Sequence, residues 1–210
     1  MEQKENRIVN RLPAKTWNRL SVNQAEIKDL TADGWQRPAV TVRYPKDEKP
    51  IVRELTTEQE SSVYKKMEQI RTGMGAEVSR LKPEDATDIC VETVEEGGES
   101  DERRERMRRD EVVLVLDYPD RKNCFQDVKI YARAGESVTV WTVVRSKKDA
   151  EGKAVLRTLL QAEENAKIRL VQVDLLGDRM QLFNDIGVES GKQAQIEVVQ
   201  LFLGAEEIWA

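Results

Sequence analysis

From Asp127 onward the hydrophobic and polar positions read as one unit written three times. Ala134 to Val143, Ala162 to Val171 and Ser190 to Val199 align without a gap at a spacing of 28. Val138, Ala166 and Ala194 share one column, Val140, Ile168 and Ile196 the next, and Thr142, Leu170 and Val198 the one after. These positions are two apart, so they fall on one face of an extended strand. Between them Thr139, Lys167 and Gln195, then Trp141, Arg169 and Glu197, predict a solvated outer face. A second strand lies upstream in each unit, with Ile130, Thr158 and Ile186 in one column and Ala132, Leu160 and Val188 in another.

The two strands meet at a polar corner, Gly135 to Ser137, Glu163 to Asn165 and Gly191 to Gln193, where glycine relieves strain and polar side chains satisfy turn amides. Stacked corners of this kind form a ladder. In the last third of the unit the register loosens: Gly177 and Gly204 match at a spacing of 27, and Arg145 to Ala154 shows no strand pattern. That portion is the variable side.

A repeat of this length predicts a mainly β chain, a parallel β-helix of about three to four rungs in which each turn buries its inward columns against the next. The three units run 127–154, 155–182 and 183–210. An antiparallel sandwich with evenly spaced strands is the alternative, and few Asn-Gly or Asp-Gly hairpin signals support it. The core spans 111–210, preceded by a smaller α/β amino-terminal segment with helices over 1–94 and a charged linker over 95–110.

Within the front segment, Thr57 to Glu60 is a capping box, followed by Val63, Met67 and Ile70 at helical spacing and Gly73 past the end. Gly75 to Leu81 predicts a second helix. Val40 to Tyr44 alternates as a strand that Pro45 ends, and Glu111 to Asp117 opens the β region. The run Glu95 to Glu111 reads as a solvated linker, or else as an acidic-then-basic interaction arm. At the other end Ile208 and Trp209 are apolar with no polar cap behind them, which predicts a truncated β-helix or a partner over its open edge.

Charge excludes one class of partner. The net charge is −5, of which 127–210 carries −2 from 11 basic and 13 acidic residues, so neither half offers a phosphate-tracking patch and no nucleic acid is expected. No apolar stretch has the length of a membrane span, Met1 to Asn6 is no signal peptide, and two cysteines fit a reducing cytoplasm.

Histidine is absent, which removes Ser-His-Asp and Cys-His hydrolysis, the commonest metal ligand and the usual proton shuttle. No nucleophile elbow, phosphate loop or dinucleotide fingerprint occurs. The chain is therefore expected not to be an enzyme, with no catalytic or cofactor-binding residue assigned. Cys90 and Cys124 are read as free thiols rather than as half of a four-ligand metal or iron–sulfur site. Asp174, Asp178 and Asp185, with Arg179, fall near the variable side. They are read as loop residues, the other reading being a carboxylate cluster like that of carbohydrate-active β-helices.

Gly135 to Val143, Ala154 to Thr158, Glu164 to Gly177, Leu182 to Gly187 and Ala194 to Gly204 resemble the core of the SufB/SufD family of iron–sulfur cluster assembly proteins. Asn10 to Leu20 resembles a segment near the start of SufD-like members. The resemblance implies a helical amino-terminal part, a right-handed parallel β-helix and a carboxy-terminal helical part. It implies pairing with a SufB-like paralogue through the β-helix, docking of a SufC-like ATPase on the carboxy-terminal part, and a nascent iron–sulfur cluster built by the whole complex. The family's later rungs, ATPase-docking segment and late cysteine and histidine positions have no counterpart here, so no residue role carries over and no cluster is expected on this chain alone. The resulting expectation is a non-catalytic cytoplasmic scaffold subunit, here its amino-terminal portion. A β-helical carbohydrate-active enzyme or transferase and a structural solenoid that forms a homodimer through its open end are the alternatives.

Overall fold

The structure, a computed structural model, describes residues 7–9, 25–27, 34–43, 51–56, 61–93 and 111–210. In chain order the elements are β1 (Arg7–Val9), β2 (Ala25–Ile27), β3 (Trp35–Gln36), β4 (Ala39–Arg43), β5 (Ile51–Thr56), α1 (Ser62–Met67), α2 (Ala76–Ser79) and β6 (Thr87–Glu92). There follow β7 (Glu111–Asp117), β8 (Asn123–Ala132), β9 (Ser137–Arg145), β10 (Glu151–Ala162), β11 (Lys167–Leu175), β12 (Arg179–Ser190), β13 (Gln195–Phe202) and β14 (Glu207–Trp209). The strands predicted over 40–44 and 111–117 are β4 and β7. The capping box at 57–60, the charged run 95–110 and the segment 10–20 lie outside the described residues.

From β6 onward successive strands alternate between two sheets. In the first, β6, β8, β10, β12 and β14 run parallel; in the second, β7, β9, β11 and β13 do. One turn is thus a strand of the first sheet, a tight corner, a strand of the second and a connection back, repeated about four times as a β-solenoid. At its amino-terminal end β5 lies antiparallel on β6 and β4 antiparallel on β7, while β3 pairs with β8. Strands of the segment expected to stand before the core therefore hydrogen-bond into the solenoid's own sheets. Among the described residues no helix is long and apolar enough to cross a membrane.

Val140, Ile168 and Ile196 do lie on neighbouring parallel strands, but their register differs from the uniform spacing of 28. Ile168 pairs with Ile196 at that spacing, yet it pairs with Val138, not Val140, in the preceding turn. Likewise Leu160 pairs with Val188 and with Ile130, and Thr158 with Ile186 and with Val128. The first interval is 30, the second 28. The two additional residues sit between Arg145 and Ala154, in the connection after β9. Two residues are one full strand period, so the slip leaves every inward side chain inward. A sequence alignment based on inside and outside is therefore blind to it. β10 also begins inside that stretch, at Glu151.

The corners form the expected ladder at the corrected spacing. Gly135, Asn165 and Gln193 all adopt the left-handed backbone, at φ 74, 59 and 57. Gly135 N–H donates to Glu164 O, Asn165 N–H to Lys192 O, and Gly191 N–H to Ala162 O, so each corner hydrogen-bonds to the next. Gly177 and Gly204 are not equivalent. A Cβ on Gly177 would stand 2.2 Å from Lys147 O, whereas one on Gly204 would stand 2.1 Å from Leu176 O. Both need glycine because the neighbouring turn's backbone passes too close for a side chain.

The main core lies between the sheets, where Val112, Leu114, Ile130, Val138, Val140, Leu156, Leu160, Ile168 and Leu170 are buried together. A polar strand of side chains runs through it: Gln172 Nε2 donates to Thr158 Oγ1 at 3.1 Å, and Gln172 Oε1 accepts from Asn184 at 2.8 Å and Gln200 at 3.2 Å. The outward face of the first sheet is covered by residues 61–86. Tyr64 and Met67 of α1 pack on Cys90, Tyr131 and Leu159; Met74, Val78 and Leu81 pack on Phe125, Val155 and Phe183. Between α1 and α2, Thr72 bridges to Gly187, where a Cβ would lie 2.8 Å from the Ile70 side chain.

The outward face of the second sheet differs from the solvated one expected. The corrected register sets Val113, Trp141, Val171 and Val199 in one row and Val115, Val143, Val173 and Leu201 in the next. Two unbroken apolar rows cross four strands.

Candidate functional site

Among the described residues a cluster of buried charged side chains lies under the segment 61–86. On the outward face of the first sheet Asp127 pairs with Arg157 and Arg157 with Asp185 in register, so three charged side chains occupy successive strands. Asp88 and Lys129 flank Asp127 from β6 and β8, and residues 61–86 add Glu68 and Lys82. Asp88, Asp127, Lys129, Arg157 and Asp185 are all buried. Burying so many charges is costly unless each is paired and hydrogen-bonded.

They are paired. Arg157 meets Asp127 with both prongs, Nε to Oδ1 at 2.7 Å and Nη2 to Oδ2 at 2.5 Å, and adds Glu68 at 2.7 Å and Ser79 Oγ at 3.0 Å. Lys82 Nζ lies 2.8 Å from Asp88, 3.0 Å from Asp127 and 3.4 Å from Glu68. Lys129 Nζ lies 2.8 Å from both Glu68 and Asp88. Three cations thus face three carboxylates. Burial pushes the Glu68 carboxyl up, but Arg157, Lys129 and Lys82 together outweigh it and hold the group at about 2. Burial pulls the Lys82 ammonium down, and the carboxylates of Asp127, Asp88 and Glu68 more than restore it.

Glu68, Asp88 and Asp127 bring one oxygen each within 4.8 Å of one another, a spacing that suits a hard cation. Here the same oxygens already bind Arg157, Lys82 and Lys129, whose nitrogens supply the positive charge a metal would bring. The arrangement is a latch. Glu68 and Lys82 come from the covering segment and the other members from the sheet, so the ion pairs fix that segment in place.

The fourth carboxylate, Asp185, accepts a hydrogen bond from Met74 N–H at 3.0 Å, and burial raises its pKa. The aspartates near the variable side do not converge. Asp174 points into the core, accepts from Leu176 N–H at 2.9 Å and is likewise raised by burial. Asp178 lies in the short connection before β12, its N–H donating to Lys148 O; Arg179 is exposed and donates to Asp149 O at 2.8 Å. A core position, a connection and the outer sheet face cannot serve one substrate.

Cys90 and Cys124 are buried, joined in no disulfide, and lie on opposite faces of the first sheet. Cys90 packs with Tyr64 and Leu159 under α1, Cys124 inside the main core. Cys90 is level with Lys129, five residues along β8 from Cys124, a separation of about 17 Å. They cannot share an ion. Burial pushes the Cys124 thiol up to about 11, which leaves it protonated at neutral pH and a poor metal ligand.

The latch has a signal in the sequence. Asp127, Arg157 and Asp185 are separated by 30 and 28, the two intervals of the solenoid, but only the corrected register sets them on one line. Glu68 and Lys82 carry no comparable signal, because each lies just past the end of a helix, where charged residues are common.

The other distinctive surface is the last turn. β13 is the edge of the second sheet, and Val198, Leu201, Phe202 and Leu203 are exposed there. No family model, curated protein or solved structure matches this chain.

Proposed function

We propose that this chain is a non-catalytic scaffold subunit of an iron–sulfur cluster assembly complex, of the SufD-like kind. The resemblance of 134–204 to the SufB/SufD core motivates this reading, and the β-solenoid is the architecture that resemblance implies. One observation carries it: among the described residues β13, eight residues long, is the last strand of the second sheet, with Val198, Leu201, Phe202 and Leu203 exposed beside it. An edge with unpaired backbone groups and apolar side chains extends readily by adding a strand from another chain. A SufB-like paralogue is the partner this reading assigns to it, with a SufC-like ATPase joining the complex elsewhere and the nascent cluster as cargo. The setting is the cytoplasm.

Co-expression with a SufB-like protein and its ATPase tests this directly. The reading expects a complex that survives purification and that Val198→Lys disrupts, since an inward-pointing lysine at the open end blocks strand addition. Failure to co-purify the native pair counts against it. Anaerobic reconstitution with iron and sulfide should give no stoichiometric visible chromophore on this chain alone; one that appears would contradict the assignment.

A further inference from the structure

We propose that β13 takes up an extended segment of another chain that carries a basic residue at each end and apolar residues at alternate positions between. The inference rests on the strand-addition reading above and names the chemistry that this edge selects. Of the large hydrophobic residues exposed among the described residues, all but Leu175 belong to the last turn: Val188 at 48%, Val198 at 37%, Leu201 at 45%, Phe202 at 38% and Leu203 at 69%. Val198 and Phe202 face inward, level with Leu170 and Asp174 of the turn before, so they are core side chains that a further strand would cover. Accessible apolar surface gathered in one place marks an interaction site. On the first sheet β12 is already paired at 181–183 by β14 and at Gly187 by Thr72. The uninterrupted run is therefore that of β13, eight residues long.

Charge selects the occupant. Residues 183–210 hold five carboxylates, Asp185, Glu189, Glu197, Glu206 and Glu207, against one ammonium group, Lys192, so the last turn carries 1 − 5 = −4 of the chain's −5. Asp185 is buried under the covering segment and the other four are exposed. Glu197 lies 3.3 Å from Arg169 and Glu207 accepts a hydrogen bond from Gln181, whereas Glu189 and Glu206 meet no cation among the described residues. Glu189 stands at the corner before β13 and Glu206 in the connection after it, one at either end of the strand. A second copy would set −4 against −4 and be repelled. A strand with lysine or arginine at both ends is attracted, and its apolar residues complete the cover over Val198 and Phe202.

Two synthetic peptides of β13's length test this, each alternating valine and threonine between its ends, one with a lysine at each end and the other with a glutamate. Fluorescence anisotropy of the labelled peptides with the full chain should show the lysine-ended one bound about tenfold more tightly, a margin that shrinks as salt is raised. Glu189→Lys/Glu206→Lys should reverse the order, and Val198→Lys should bind neither peptide. Equal binding of the two, binding of neither by the native chain, or binding that Val198→Lys retains overturns the proposal. So does self-association of the chain that excludes the lysine-ended peptide, since a second copy is then the occupant. The scaffold role fails separately. A lysine-ended peptide that binds as expected while no SufB-like complex co-purifies refutes that role and leaves the basic strand standing; a complex formed by a chain that does not discriminate the peptides refutes the basic strand alone.

Discussion

Arg157→Met removes the residue on which most of the buried latch converges. Arg157 is 4% exposed and binds Asp127 through two nitrogens, Glu68 through one and Ser79 through the third. Methionine fills much of the same space but returns none of those hydrogen bonds. Asp127, whose side chain is fully buried, keeps Lys82 at 3.0 Å as its ion-pair partner, and Glu68 keeps the two lysines. Breaking a buried pair from one side costs about 3–5 kcal/mol, and without Arg157 three carboxylates share two lysines, so one negative charge is left in excess. For a chain of this size each kcal/mol lowers the melting midpoint by about 2–4 °C, so the expected drop is about 10 °C. Thermal melts followed by circular dichroism supply the measurement. Arg145→Met, which breaks an exposed pair with Asp117, is the control and should leave the midpoint where it is. An Arg157→Met midpoint within about 2 °C of the native one would refute the view that these charges hold the covering segment.

Acid should release the same latch. Glu68 is held at about 2 in the fold and titrates near 4.3 when unfolded, so its stabilisation is complete above the unfolded value and is lost as pH falls toward 2. Asp174 and Asp185, raised by burial, act in the opposite sense, and Glu68→Gln should therefore flatten or invert the acid limb of a stability–pH curve. At the corner, Gln193→Gly relieves a left-handed backbone and should raise stability by about 0.5–1 kcal/mol in urea titrations, with Gly135→Ala acting the other way. Gly187→Val would drive its side chain into Ile70 and Thr72. It should cost on the order of 1–3 kcal/mol and raise amide exchange over 61–86.

The solenoid was legible because its defining signal is local. Alternation of Val138, Val140 and Thr142, repeated downstream, states which side faces inward, and the glycine and asparagine at the corners state where the chain turns. What alternation cannot state is register. A two-residue insertion after Arg145 changes no residue's side of the sheet, yet it moves Trp141 from beside Arg169 to beside Val171, and so from a polar row to an apolar one. The outward stripe and the Asp127, Arg157 and Asp185 line were hidden for that one reason.

Other features depend on contacts distant in sequence. That Glu68 and Lys82 close over Asp127 follows from how residues 61–86 fold back on the first sheet, which neither helix's own pattern encodes. The helices are also shorter than their spacing predicts, α1 ending at Met67 and α2 at Ser79, because packing on Cys90 and Phe125 rather than helix length stabilises them.

Everything functional drawn from this fold depends on which residues lie level in adjacent turns, and paired cysteines read that directly. In Thr139→Cys/Arg169→Cys the two positions are partners on β9 and β11, about 5 Å apart and within disulfide reach. In Thr139→Cys/Lys167→Cys, the pair that a uniform spacing of 28 would set level, they are about 8 Å apart, too far to bridge. Mild oxidation of the folded chain, followed by mass spectrometry, should give an intramolecular disulfide in the first variant and free thiols in the second. A bond in the second and none in the first would contradict the register, and bonds in neither would contradict the stacked turns themselves.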